Sequence, residues 1–166
     1  MSIYEKLWAL PEATRDVIRE CGDYLQYILP ITTLVLSYFF MDHHFLYVYI
    51  GYFVVCMAIM MLSKAIFNNP RPREVEDSDD PDDNPDVDLD WSPDAGNSLM
   101  SGHSCSAMAG AIPALWINPW LGAVMVVLAV FVGFSRIVAK AHWIRDVLVA
   151  FATAIVLWGV AVYFFL

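Results

Sequence analysis

Five long apolar segments place the strongest constraint on how this chain of 166 residues can fold. A helix needs about 20 mostly apolar residues to cross a bilayer, and each segment comes close to this length. Backbone groups in lipid must be paired internally, and no segment shows the alternation of a membrane β-strand. The sequence therefore predicts an all-α, polytopic membrane bundle of five transmembrane helices that forms a single domain over residues 1–166. The segments cover residues 24–41, 45–63, 101–117, 120–139 and 147–166.

The charge of the chain is concentrated in one loop. The formal net charge is -9, and ten of the 18 acidic residues lie within residues 74–90. We therefore expect residues 68–98 to form an acidic extramembrane loop between the second and third segments. The chain has no basic tract, which argues against a nucleic-acid partner. Its three cysteines show no spacing typical of a disulfide or a zinc site.

The N-terminal segment, residues 3–21, mixes apolar and charged side chains. Trp8, Val17 and Ile18 recur among acidic and basic residues, and this pattern predicts an amphipathic helix. Pro11 should interrupt it, because proline lacks the backbone N–H that a helix interior requires. Such a segment can lie at the membrane surface or form an ordered cap on the bundle.

The five predicted helices alternate in direction, which divides their connections between the two membrane faces. The turns near residues 42–44 and 118–119 lie on one face with the C-terminus. The N-terminal segment, the 68–98 loop and the 135–146 connection lie on the other face. All nine Lys and Arg residues fall on this second face. The topology therefore predicts an active site at this end of the bundle, at the membrane interface.

Two cations lie near the end of the second predicted helix. Lys64 closes the apolar run and Arg71 follows it, while Pro70 and Pro72 prevent the helix from continuing. Taken alone, these cations are typical of side chains that extend from a helix end toward the membrane surface.

Ser101, Gly102 and His103 open the third predicted helix. The N-terminus of a helix offers free backbone N–H groups and the positive end of the helix dipole, and both favour phosphate. Ser101 can add a hydroxyl group, and Gly102 allows a ligand to approach the backbone closely. A Ser-Gly pair is also a common helix cap, so this stretch alone does not define a site.

The connection between the fourth and fifth predicted helices carries Arg136, His142 and Asp146. His142 and Asp146 are four residues apart, and on a helix they would face each other at hydrogen-bonding range. A carboxylate on one imidazole nitrogen fixes the tautomer and leaves the other nitrogen free as a nucleophile. Arg136 offers a planar set of donors to phosphate oxygens. Ionisable side chains in an apolar region indicate function.

Together the three stretches closely resemble the type-2 phosphatidic acid phosphatase superfamily. The motifs of that family are Lys-x6-Arg-Pro, Pro-Ser-Gly-His and Ser-Arg-x5-His-x3-Asp. Residues 64–72 match the first motif and residues 135–146 match the third. Residues 101–103 match the second, but Met100 stands where the family has proline. This departure concerns the rigidity of the loop rather than the chemistry. Membrane members of the family usually have six spans, and one of these is missing or replaced by residues 3–21.

The resemblance implies a role for each of these residues. His142 attacks phosphorus and forms a phosphohistidine, and Asp146 orients it. His103 protonates the leaving oxygen and then activates water. The other residues of the set hold the phosphate oxygens and stabilise the transition state: Lys64, Arg71, Ser101, Gly102 and Arg136. These cations and N–H groups stand where a metal often would, so neither a metal nor another cofactor is expected.

The activity implied by the resemblance is metal-independent hydrolysis of a lipid phosphate or lipid diphosphate. We expect the substrate to be a polyprenyl diphosphate such as undecaprenyl diphosphate. The alternatives are phosphatidylglycerol phosphate or phosphatidic acid, and a lipid A phosphatase or phosphotransferase, because a lipid hydroxyl can intercept a phosphohistidine. A soluble haloperoxidase shares the motifs, but the five predicted spans of this chain argue against that alternative. A non-enzymatic membrane scaffold or channel would tolerate loss of His142 and Asp146.

Two arguments about the orientation of the site oppose each other. Bacterial family members mostly face outward, which predicts a multi-pass protein of the plasma (inner) membrane with an extracytoplasmic site. The positive-inside rule directs the same face to the cytoplasm, because the opposite face has no Lys or Arg. We favour the extracytoplasmic side on the strength of the resemblance.

Overall fold

The described part of the chain consists of six α-helices and their connections. The structure is a computed structural model, and it describes residues 3–67, 71–72 and 99–166. No strand occurs among these residues, so the all-α fold class is confirmed. Most of the predicted acidic loop, 68–98, lies outside them. The helices are α1 (Ile3–Trp8), α2 (Glu12–Phe40), α3 (His43–Ile66), α4 (Gly102–Ile117), α5 (Pro119–Val138) and α6 (Ile144–Phe165).

Three of these helices, α3, α5 and α6, are long and apolar enough to cross a membrane. Helix α4 has only 16 residues, a length of roughly 24 Å against a hydrocarbon core of about 30 Å. Helix α2 is long enough, but it carries charged residues as far as Asp23 and the buried polar side chain of Gln26. The three apolar helices α3, α5 and α6 identify the chain as a membrane protein. The prediction of five transmembrane helices is confirmed for three helices and is not confirmed for α2 and α4.

The N-terminal segment differs from the predicted amphipathic helix. Pro11 interrupts it as expected, since α1 ends at Trp8 and α2 begins at Glu12. Residues 12–21, however, are continuous with the first predicted span and form the start of α2. A separate amphipathic segment over residues 3–21 is thus not confirmed.

Helix α1 forms a cap on the connection between α5 and α6. The indole N–H of Trp8 donates to the carbonyl of Ile137 at 3.0 Å. The ring of Tyr4 lies 5.4 Å from that of Trp143, and Lys140 Nζ lies 5.2 Å from the centre of the Trp8 ring. These contacts agree with the ordered cap, the second of the two expectations for this segment.

Helix α4 lies at the centre of the bundle and packs against α2, α3, α5 and α6. Its buried residues are mostly small, and they include Ala107, Gly110 and Ala111. A methyl group at Gly110 would lie 2.5 Å from the backbone nitrogen of Pro30 in α2, so this crossing requires glycine. Close contacts of this kind and interhelical hydrogen bonds are what hold membrane helices together. One such bond joins Thr33 Oγ1 to the carbonyl of Gly110 at 2.6 Å.

Contacts at the two ends of the bundle agree with the alternating directions expected for α3, α4 and α6. At one end, His44 Nε2 lies 2.6 Å from the carbonyl of Phe165, which joins the start of α3 to the end of α6. At the other end, Ser101 N–H donates to the carbonyl of Asp146 at 3.3 Å, which joins the starts of α4 and α6. The two helix N-termini that carry predicted site residues therefore meet.

Candidate active site

Arg136, in the last turn of α5, is held firmly by α2. Its Nη1 forms an ion pair with Asp23 Oδ1 at 2.7 Å, and its Nη2 donates to the carbonyl of Arg19 at 2.8 Å. Nε donates to Ser135 Oγ at 3.2 Å. Gly22 permits this approach, because a side chain there would collide with Ser135 Oγ. The Arg136 side chain is only 6% exposed, and its guanidinium group is fixed by three partners.

His103 lies in the first turn of α4 and contacts the same carboxylate. Its Nε2 is 3.0 Å from Asp23 Oδ1, so a single oxygen atom joins His103 to Arg136. The His103 side chain keeps 33% of its surface exposed. The ring can therefore contact both Asp23 and a ligand.

Lys64 reaches from the last turn of α3 to the start of α4. Its ammonium group lies 4.0 Å from the point where a Gly102 side chain would begin. Ser101 is fully buried, and its hydroxyl oxygen accepts hydrogen bonds from the N–H and the hydroxyl of Ser104, at 3.3 Å and 2.9 Å. Because Ser101 accepts both bonds, its own hydroxyl hydrogen can still serve as a donor.

His142 and Asp146 flank the start of α6 and are both buried. Helix α6 begins at Ile144, so His142 precedes the helix, and the expectation of two facing positions on one helix is wrong in this respect. His142 Nδ1 nevertheless lies 3.9 Å from Asp146 Oδ2. This distance suits an ion pair and is longer than a hydrogen bond. Asp146 Oδ2 also accepts from the backbone N–H of Trp143 at 3.0 Å, which caps α6 and fixes the carboxylate.

The loop that carries His142 is tied back to Arg136. The N–H groups of Ala141 and His142 both donate to the carbonyl of Arg136, at 3.0 Å and 3.3 Å. Lys140 turns the chain in the left-handed conformation, with φ 55°, as expected for the residue after a helix end. Arg136 and His142 thus belong to one rigid unit.

Arg71 is 8% exposed, and the neighbouring Pro72 is fully buried. The chain therefore returns to the body of the protein shortly after α3 ends at Ile66. Contacts between the helix ends bring the predicted site residues to one end of the bundle: Lys64, residues 101–103, Arg136, His142 and Asp146. The assignment of Arg71 to the phosphate site stays a prediction.

Asp23 is a member of this cluster that the sequence analysis did not identify. Its only sequence signal is its position, directly before an apolar segment and on the face that carries the cations. No motif includes it, and the nearest residue of the three motifs is more than forty positions away. Only the packing of α2 against α4 and α5 brings it to His103 and Arg136.

The fold and the cluster define a class of protein: a helical membrane protein with a cluster of cationic and histidine side chains at one end of its bundle. The family model of the PAP2 superfamily matches residues 31–166. The chain belongs to the PAP2 superfamily, which confirms the resemblance, and membership implies phosphatase activity on phosphate esters. Comparison with curated proteins and with solved structures gave no match.

Met100 occupies the position where the family motif has proline, and its backbone excludes that residue. Met100 has φ 63°, whereas the proline ring fixes φ at about −65°. The Met100 side chain is also buried, with 1% of its surface exposed. We expect Met100→Pro to lower the stability of the protein by about 2–4 kcal/mol, because the loop must rearrange and a buried side chain is lost. Thermal unfolding in detergent measures this, with Met100→Leu as the control that keeps the burial. A proline variant as stable as wild type would contradict it.

Proposed function

We propose that this protein hydrolyses a lipid phosphate or lipid diphosphate without a metal, through a phosphohistidine intermediate. The observation that carries the proposal is the convergence of the His142–Asp146 pair with Lys64 and Arg136 at one end of a membrane bundle. A lipid whose tail lies in the bilayer presents its phosphate group at such an end. The site therefore suits an amphiphilic phosphate ester.

In the first step, Asp146 favours the His142 tautomer that carries its proton on Nδ1, which leaves Nε2 as the nucleophile. Nε2 attacks phosphorus, and the bond between phosphorus and the leaving oxygen breaks. His103 gives its proton to that oxygen. In the second step, His103 takes a proton from water as the water oxygen attacks phosphorus. The phosphorus–nitrogen bond then breaks and inorganic phosphate leaves.

Groups that are already in place stabilise the negative charge that develops on the phosphate oxygens. Arg136 is fixed by its three partners, and Lys64 lies at the start of α4. The N-terminus of α4 adds its free N–H groups near Gly102, and we assign Arg71 and Ser101 to the same role. Groups held in advance cost little reorganisation during the reaction, which is why they stabilise a transition state strongly.

For the substrate we propose a polyprenyl diphosphate such as undecaprenyl diphosphate, in the plasma (inner) membrane with the site on the extracytoplasmic side. The apolar helices α3, α5 and α6 support a substrate that lies in a membrane. The choice of the polyprenyl chain and of the membrane face rests on the family resemblance alone.

Phosphate release by the purified protein in detergent, with EDTA present, tests this proposal. The panel consists of polyprenyl diphosphate, phosphatidylglycerol phosphate, phosphatidic acid and lipid A diphosphate, with His142→Ala as the control. Release that persists in EDTA and is absent from the variant supports the metal-free histidine mechanism. Release that stops on chelation, or no release from any of these lipids, would overturn it.

Gly102→Ala should separate activity from stability. The added methyl group would lie 3.5 Å from the Met60 side chain and 4.0 Å from Lys64 Nζ, both ordinary contacts. Alanine also favours a helix over glycine by up to about 1 kcal/mol. We expect unchanged or slightly higher thermal stability together with a KM raised roughly tenfold, because the methyl group holds phosphate away from the backbone N–H groups. Unaltered kinetics would mean that phosphate does not lie against Gly102.

A further inference from the structure

We propose that Asp23 is a positioning residue for His103. Its carboxylate keeps the proton on Nε2 of His103, so that the opposite nitrogen, Nδ1, exchanges a proton with the leaving oxygen and then with water. The observation is the 3.0 Å contact between Asp23 Oδ1 and His103 Nε2. The inference rests on the proposed function, and it assigns a task to a residue that lies outside all three motifs.

The cations around His103 explain why a carboxylate beside it favours proton donation. Arg136 lies within the same cluster, since it shares Asp23 Oδ1, and Lys64 reaches the start of α4, where His103 lies. Neighbouring cations disfavour a protonated imidazole, and an adjacent carboxylate favours it. A group that must donate a proton beside two cations therefore benefits from Asp23. Because the carboxylate occupies Nε2, the proton transfer takes place at Nδ1.

Asp23 is held well enough to orient a ring. Its carboxylate is fixed by the ion pair with Arg136, whose guanidinium is in turn bonded to the Arg19 carbonyl one turn earlier in α2. Farther along the bundle, α2 meets α4 at the close crossing of Pro30 and Gly110. The two residues of the pair therefore lie on two helices that are packed rigidly against each other. A second pair, His142 and Asp146, has the same composition on α6 and its preceding loop.

The kinetic test compares two substrates that differ in their need for a proton donor. An alkyl phosphate needs its leaving oxygen protonated, whereas p-nitrophenyl phosphate releases a stable anion. We expect Asp23→Asn to lower kcat/KM for dodecyl phosphate by about 100-fold and for p-nitrophenyl phosphate by less than about threefold. His103→Asn should show the same selectivity. The parameter kcat/KM is used because it reports the steps up to the first bond cleavage.

Asp16→Asn is the matched control. Asp16 lies on the same helix, is 48% exposed and forms its ion pair with Arg19. This variant therefore removes the same charge at a residue that does not pair with His103. We expect both substrates to react as with wild type. If Asp23→Asn instead lowers both rates equally, the carboxylate serves only to hold Arg136 or the fold. If it raises both rates, Asp23 competes with substrate phosphate. Either result would overturn the proposal.

A second measurement does not depend on turnover. The chain has four histidines, so the ¹⁵N resonances of its imidazole rings in detergent micelles can be assigned by single replacements. We expect the His103 resonances of wild type and Asp16→Asn to show a proton on Nε2, which the acid and base forms of the ring share, and those of Asp23→Asn to shift. Identical spectra for wild type and Asp23→Asn would contradict the positioning role. A protein with these spectra but no hydrolysis of either phosphate would overturn the proposed function and leave the Asp23–His103 pairing intact.

Discussion

His142→Ala is expected to abolish phosphate release, with kcat lowered by about 10⁴-fold or more. The variant retains the cations and helix N-termini that bind phosphate, but it has no nucleophile to form the phosphorus–nitrogen bond. His142 is buried, with its Nδ1 facing the fully buried Asp146, and a water molecule in the vacated space is a much weaker nucleophile than an imidazole nitrogen. The measurement is phosphate release from the best lipid of the panel, with thermal unfolding as a check that the variant is folded.

Trapping the intermediate sharpens this prediction. His103→Ala should still react with p-nitrophenyl phosphate, whose leaving group needs no proton, but it lacks the base that activates water for the second step. We therefore expect this variant to accumulate a phosphoenzyme that is labile in acid and stable in base, as a phosphohistidine is. The doubly substituted protein, His103→Ala with His142→Ala, should not become labelled. Labelling of the double variant would place the nucleophile elsewhere.

The sequence predicted where the candidate residues lie in the bundle better than it predicted how they are held. Lys64, Arg136 and His142 could be placed at one end of the bundle because the alternation of apolar segments fixes on which face each connection lies. The N-terminus of α4 could be located because Ser101 directly precedes an apolar run and its side chain caps the helix, as its N-cap position predicts. These inferences need only local patterns and the direction of each helix.

What the sequence did not predict depends on contacts between distant segments. Asp23 joins the site because Gly22 lets α2 approach Ser135, and neither residue carries a local signal of that contact. The backbone of Met100 is left-handed, whereas the family motif suggested a proline there. The span prediction is not confirmed for α4, a short helix enclosed by four others. Such a helix is surrounded by protein along much of its length and need not match the bilayer by itself.

Gly110→Ala is expected to lower the stability of the protein by about 1–3 kcal/mol. The new methyl group would lie 2.5 Å from the Pro30 nitrogen and 2.7 Å from its Cα. These are backbone atoms that no side-chain rotation can move away, so α2 and α4 must separate. Separation also stretches the 2.6 Å bond from Thr33 to the Gly110 carbonyl. Thermal unfolding in detergent, monitored by helical circular dichroism, measures the loss.

Gly51→Ala is the matched control, because no described residue outside the adjacent turns of α3 has an atom within 4 Å of the position that this methyl group would take. The same substitution there should leave stability unchanged or raise it by up to about 1 kcal/mol, through helix propensity alone.

The comparison of Gly110→Ala with Gly51→Ala also links helix packing to catalysis. Separation of α2 from α4 would draw Asp23 away from His103, so Gly110→Ala should reduce hydrolysis of dodecyl phosphate more than that of p-nitrophenyl phosphate. Equal stability of the two variants would show that the α2–α4 crossing is looser than its geometry indicates, and Asp23 would then lack the rigid support on which its positioning role depends.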